Sequence, residues 1–243
     1  MRGVDRPATG PTGETGEIDP GLRLAPPWAV PVAVIAALAE IVLAGWVWHA
    51  TRLDPVDAWA MRWQERLSSH DSGKAGLVAT TLTVGAMLVA MVAGATFAWL
   101  AGRRDAVVLA LVASPTTLAA EALLKDLVHR TWNGDPALLF PSGHVAVATA
   151  AAMTAVLVVR VLRVPRFARV ATAYVGAGLV LLVAVARLVQ TVHSLTDVVG
   201  GVTTGLVVTL AAASAMTAWS VRAHRQTSSG VTRSLPTPGQ SRS

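Results

Sequence analysis

Between residues 28 and 220 the chain alternates long apolar runs with short polar ones. A bilayer's hydrocarbon core, about 30 Å thick, is crossed by roughly 20 helical residues. Six runs reach that length, at 28–50, 76–101, 106–124, 144–163, 170–188 and 197–220. The pattern therefore predicts an all-α integral membrane bundle of six transmembrane helices over 28–220. The stretch 51–75 breaks the series. Asp54, Asp57, Arg62, Glu65 and Arg66 surround Trp59, Met61 and Trp63 there, a mixture that suits a helix or loop lying in the interface. Trp28, Trp46, Trp48, Trp99 and Trp219 fall at run ends, where amphipathic rings favour the headgroup layer. Residues 1–27 are polar and rich in Pro and Gly, and residues 221–243 are rich in Ser, Thr, Arg and Pro. Both flanks predict disorder. The leader lacks a signal peptide's basic start and short apolar core, so the first run reads as a retained anchor.

Composition strengthens this picture. Hydrophobic residues make up 53% of the chain and charged ones 14%, against about 25% charged in a soluble domain. The absence of cysteine excludes disulfides, thiolate catalysis and cysteine metal sites. A net charge of +6 raises nucleic acid as a partner, but the arginines lie between apolar runs rather than along one basic face. That distribution is a topology signal, and no nucleic-acid partner is expected. With the N-terminus in the cytoplasm, thirteen Lys and Arg fall on the inner side and seven on the outer. Arg160, Arg163, Arg166 and Arg169 are the densest inner cluster. Both termini are thus expected inside the cell membrane, with the loops after the third and fifth spans facing out.

Those two loops hold the candidate chemistry. The first segment, Lys125-Asp126-Leu127-Val128-His129-Arg130, leaves the third span; Pro141-Ser142-Gly143-His144 opens the fourth. A third runs from Arg187 through His193 to Asp197, between the fifth and sixth spans. Ionisable groups at span ends are functional candidates. Pro141-Ser142-Gly143 reads as a turn into a helix, with Ser142 placed to cap it. Free N–H groups and the dipole make such a start an anion site, and Gly143 lets an oxyanion approach the backbone. An ordinary capped helix with an interfacial histidine fits the same residues. His193 and Asp197, four apart, become neighbours on a helix. A carboxylate on one ring nitrogen leaves the other free to attack. A plain helix-start pair and a metal site are the alternatives. Lys125, Arg130 and Arg187 disfavour a metal and favour an anion such as phosphate. Glu121, one turn before Lys125, suits an ion pair with it. Glu40, deep in the first span, has no assigned role.

Taken together, these segments resemble the type 2 phosphatidic acid phosphatase superfamily, which includes undecaprenyl-diphosphate phosphatases. Its pattern is a Lys/Arg segment, then PSGH, then S-R-x5-H-x3-D on a six-helix core. The motifs span roughly 100–200, and joint occurrence in this order makes them specific. The resemblance implies His193 as a nucleophile forming a phosphohistidine, Asp197 as its orienting partner and His144 as the acid that protonates the leaving oxygen. It implies Lys125, Arg187 and the Ser142–Gly143 backbone as phosphate ligands, with no cofactor or metal. Two positions depart from it. The family's K-x6-R-P would place arginine where Trp132 stands, followed by Asn133, and Arg130 substitutes as a phosphate ligand. Ala186 replaces the serine before Arg187.

The resulting expectation is a lipid-phosphate phosphatase with its site at the outer-leaflet face. Undecaprenyl diphosphate is the first substrate, and phosphatidate or phosphatidylglycerophosphate the next. A non-catalytic lipid-phosphate binder or transporter is the rival reading. Gly201 and Gly205 in the sixth span form a small-xxx-small pair that serves internal packing or, alternatively, a homodimer.

Overall fold

The structure, a computed structural model, describes residues 23–67, 70–132, 139–162 and 164–232. Seven helices form among them: α1 Ala29–Trp46, α2 Pro55–Leu67, α3 His70–Leu100, α4 Arg104–Val128, α5 Gly143–Val161, α6 Arg166–Val189 and α7 Leu195–Thr232. All but α2 are long and apolar enough to cross a membrane, α3 from Lys74 and α7 as far as Arg222. The protein is a multi-pass membrane bundle.

Helix ends differ from the sequence expectation in ways that matter for the site. The helix α3 begins at His70, inside the stretch read as interfacial, while α4 continues to Val128 and carries Lys125 on its last turn. Hydropathy alone ends both runs at their first charges. A hydrogen-bonded helix has no reason to stop there when charged side chains reach the interface. Residues 1–22 and 233–243 of the two flanks lie outside the described residues. The inner parts of both flanks carry contacts or helix. Leu24 is buried against α7, the Ala25 N–H donates to Thr217 Oγ1 at 2.9 Å, and α7 runs on to Thr232.

At the centre stands α5, packed against α3, α4, α6 and α7. Its alanines at 146, 148, 150 and 151 are buried, which lets neighbouring backbones approach closely. On α7, Gly201 and Gly205 meet this face. A Cβ on Gly201 would lie 2.5 Å from the Ser142 carbonyl oxygen, and one on Gly205 equally close to that of Ala146. The small-residue pair is therefore used within the chain. On the other side of α7, Glu40 of α1 accepts hydrogen bonds from Thr203 and Thr204. A carboxyl group otherwise costly in the membrane thus ties α1 to α7.

The short helix α2 is amphipathic. Asp54 caps it, its Oδ1 accepting the N–H groups of Val56 at 2.8 Å and Asp57 at 3.0 Å, and Pro55 occupies the first position, where no donor is needed. Asp57, Ala60, Met61 and Gln64 are buried, while Trp59 and Trp63 are exposed. Burial at i, i+3, i+4 and i+7 is the signature of a helix lying on a surface. Arg66 covers Trp63 with its guanidinium 5.3 Å from the ring centre.

Candidate active site

Four helix ends and two connections meet at one end of the bundle. After α4, His129 takes a left-handed conformation (φ 52°) and turns the chain. The His49 N–H donates to Val128 O, and the Thr131 N–H to Ala50 O, so this turn rests on the end of α1. The return segment is fixed by Phe140, fully buried between Val47 and Val128 and seated against Gly200 of α7. It leads through a cis Phe140–Pro141 peptide into α5. The Ser142 N–H then donates to the Asp197 carbonyl at 2.9 Å and joins the starts of α5 and α7.

These connections enclose a cavity of about 600 Å³, lined at its polar end by Glu121, Lys125, Gly143, His144, Arg187 and His193. Its remaining wall is mostly apolar and comes from α3 and α4, including Val84, Leu88, Met91, Leu111 and Leu118. Pro115, also in the wall, removes one N–H from the α4 ladder. Lys125, Gly143, His144, Arg187 and His193 are thus brought together from three separate stretches of sequence. The Lys125 ammonium lies 2.7 Å from Glu121 Oε1, the ion pair that their spacing suggests. Arg187 donates from Nη1 to Gln190 Oε1 at 2.6 Å, and the Gln190 amide donates to Thr80 Oγ1 at 3.2 Å. Gln190 and Thr80 hold the guanidinium in place, and no sequence signal marked either of them.

Two expectations, for Ser142 and Arg130, need correction, and Gly143 has a neighbour that the sequence did not suggest. Ser142 does not cap α5 with its side chain: Oγ is buried without a hydrogen-bond partner, and its N–H is occupied by Asp197. Gly143 does sit beside an oxyanion, but that oxyanion belongs to the chain. Glu121 Oε1 lies 2.7 Å from where a Cβ on Gly143 would be. Arg130 does not reach the cavity. Only 1% exposed, it donates from Nη2 to Asp57 at 2.6 Å and from Nη1 to Asp197 Oδ1 at 2.8 Å, with Ser194 and Thr196 hydroxyls beside it. Two carboxylates hold this guanidinium more strongly than a transient ligand would. Trp132, where the pattern has arginine, is half-buried and outside the cavity wall.

Asp197 lies fully buried behind His193. Its Oδ2 accepts the Ser194 N–H and hydroxyl, both at 2.8 Å, and stands 3.8 Å from His193 Nδ1. That separation is longer than a hydrogen bond. Because α7 starts at Leu195, His193 precedes the helix rather than lying on it. Asp57, beyond the membrane-spanning segments, keeps its carboxyl below the usual range. Burial pushes it up, but hydrogen bonds from Thr196 and Arg130 and the Arg130 charge more than offset that. Among the described residues no cluster of three or more His, Asp or Glu is arranged to hold a metal.

Residues 114–220 match the PAP2 superfamily. A solved structure, described as the first transmembrane PAP2 type phosphatidylglycerolphosphate phosphatase from Bacillus subtilis, is similar to the chain with a TM-score of 0.60 and 21% identity. The match covers 74% of this chain and 93% of that one. No curated protein matches the chain.

Proposed function

We propose that the chain is a member of the PAP2 superfamily, whose pattern residues 114–220 match, and that it is a membrane phosphatase acting on a lipid phosphate. One observation carries this reading: two histidines and two cations, with Glu121 beside Lys125, share a single cavity whose other walls are mostly apolar. Such a cavity takes a phosphate at one end and hydrocarbon along the other. Lys125, Arg187 and the N–H groups at the start of α5 stabilise the phosphoryl oxygens.

The proposed reaction divides its work between the histidines. With Nδ1 turned to Asp197, His193 attacks phosphorus through Nε2. A P–N bond forms as the P–O bond to the lipid breaks, and His144 donates its proton to the departing oxygen. His144 then takes a proton from water, which attacks the phosphohistidine, releases phosphate and restores His193. We place this cavity at the outer face of the membrane, with both termini inside. An outward site and a long apolar wall suit undecaprenyl diphosphate, and phosphatidylglycerophosphate is the comparison substrate.

Phosphate release by detergent-solubilised protein, from undecaprenyl diphosphate, phosphatidylglycerophosphate and phosphatidate, with and without EDTA, tests the reading. Release that is insensitive to EDTA is expected, fastest from undecaprenyl diphosphate. No release from any of the three, with binding retained, would leave a lipid-phosphate binder. Loss of release in EDTA would bring a metal back into the mechanism.

A further inference from the structure

We propose that Asp57, on the amphipathic helix α2, is a positioning residue for His193. Through Arg130 it sets the Asp197 carboxylate behind the imidazole and makes α2 part of the active site. The inference rests on the phosphatase reading above and concerns a residue outside the motifs that led to it.

The contacts form one chain. Asp57 is fully buried; its Oδ1 accepts the Thr196 N–H at 3.0 Å, and its Oδ2 accepts the Thr196 hydroxyl at 2.5 Å and Arg130 Nη2 at 2.6 Å. Arg130 Nη1 donates to Asp197 Oδ1 at 2.8 Å. The other Asp197 oxygen lies 3.8 Å from His193 Nδ1. Asp57 therefore grips the turn at Thr196 and Asp197 twice, once through the backbone and once through the guanidinium. A small shift of Asp197 decides whether the His193 ring can hydrogen-bond to it.

Charge points the same way. Arg130 and Asp197 alone would form a neutral pair. The second carboxylate makes the buried group net negative, which stabilises the positive charge the ring gains as its Nε2 bonds to phosphorus. Buried ion networks of this kind are weak evidence for stability, because apolar residues of similar volume serve as well. Their value lies in fixing geometry and local potential. Here the fixed point is the carboxylate behind the candidate nucleophile.

The test uses the full chain in detergent with Asp57→Asn, Asp57→Glu, Thr196→Val and, as control, Glu40→Gln. Glu40 is also a buried acid bonded to α7, but it lies outside the cavity wall. Asp57→Asn is expected to lower kcat by about 10²-fold with little change in KM, the cost of a misplaced catalytic group. The His193 titration should move to lower pH, read from the rate profile and from the ¹⁵N spectrum of histidine-labelled protein, with His193→Gln for assignment. Arg187, His144, Lys125 and Glu121 share the cavity with the ring and are unchanged in every variant, so the shift reports the Asp57–Arg130–Asp197 group. Asp57→Glu should restore part of the rate. Thr196→Val keeps all charges and should move rate and titration in the same direction by less, which preserves the test if Asp57→Asn does not fold. A lowered Tm with kcat, KM and the His193 titration at wild-type values would overturn the proposal. So would an equal loss of kcat in Glu40→Gln. A wild-type protein that releases no phosphate would instead sink the phosphatase reading, while the ¹⁵N titration would still decide whether Asp57 acts on His193.

Discussion

Arg130 shows most clearly how one residue's role depends on its surroundings. By spacing it is the nearest arginine to the missing family position, and it reads as a phosphate ligand. In the fold it lies between Asp57 and Asp197. Arg130→Leu should therefore destabilise the protein by about 3–5 kcal/mol, because two buried carboxylates lose their counter-charge. Thermal unfolding in detergent checks this; a raised KM with an unchanged Tm would restore the phosphate-ligand role. His193→Ala makes the opposite prediction, with Tm nearly unchanged and phosphate release reduced on the order of 10⁴-fold or more. Retention of near wild-type turnover would remove His193 as nucleophile. Both histidines, Lys125 and Arg187 were legible from motif spacing. Gln190, Thr80 and Asp57 were not, because a single polar residue that supports a distant side chain leaves no local pattern.

Among the elements, α2 and α7 carry the lessons. The mixture of tryptophans and charges set the α2 stretch apart from the spans, but its link to the site depends on one buried face. Asp57 also gives it an acid sensitivity with a definite sign. Its folded-state carboxyl titrates below the ordinary value of about 3.9. Its contribution is therefore complete above that value and is lost as pH falls through the lower folded one. Wild-type Tm should fall more steeply under acid than that of Asp57→Asn, and parallel acid profiles would contradict this. On α7, Gly205 lies where α5 passes closest. Gly205→Val should cost about 1–3 kcal/mol through overpacking, measured as a lower Tm, whereas a glycine that faced lipid or a second chain would tolerate the change within the monomer.

The whole molecule is a set of spans packed around α5, and we place its direction in the membrane by the excess of arginine on one side. The natural absence of cysteine makes this easy to test. Asp126→Cys should react with an impermeant maleimide on intact cells, and Arg104→Cys should react only after permeabilisation. The reverse labelling would invert the protein and put the cavity on the cytoplasmic side.

Apolar length and motif order were enough to mark the six spans and the five residues that line one cavity. Apolar length and motif spacing are local properties, and a bilayer turns length directly into topology. Tertiary structure alone decided that Arg130 serves Asp197 rather than the cavity, that Glu121 covers Gly143, that Glu40 joins Thr203 and Thr204, and that α2 reaches the site through Asp57. Each pairs groups that are distant in the chain or lie on different helix ends. The need to satisfy buried charge selects those partners, and that need exists only once the helices have packed.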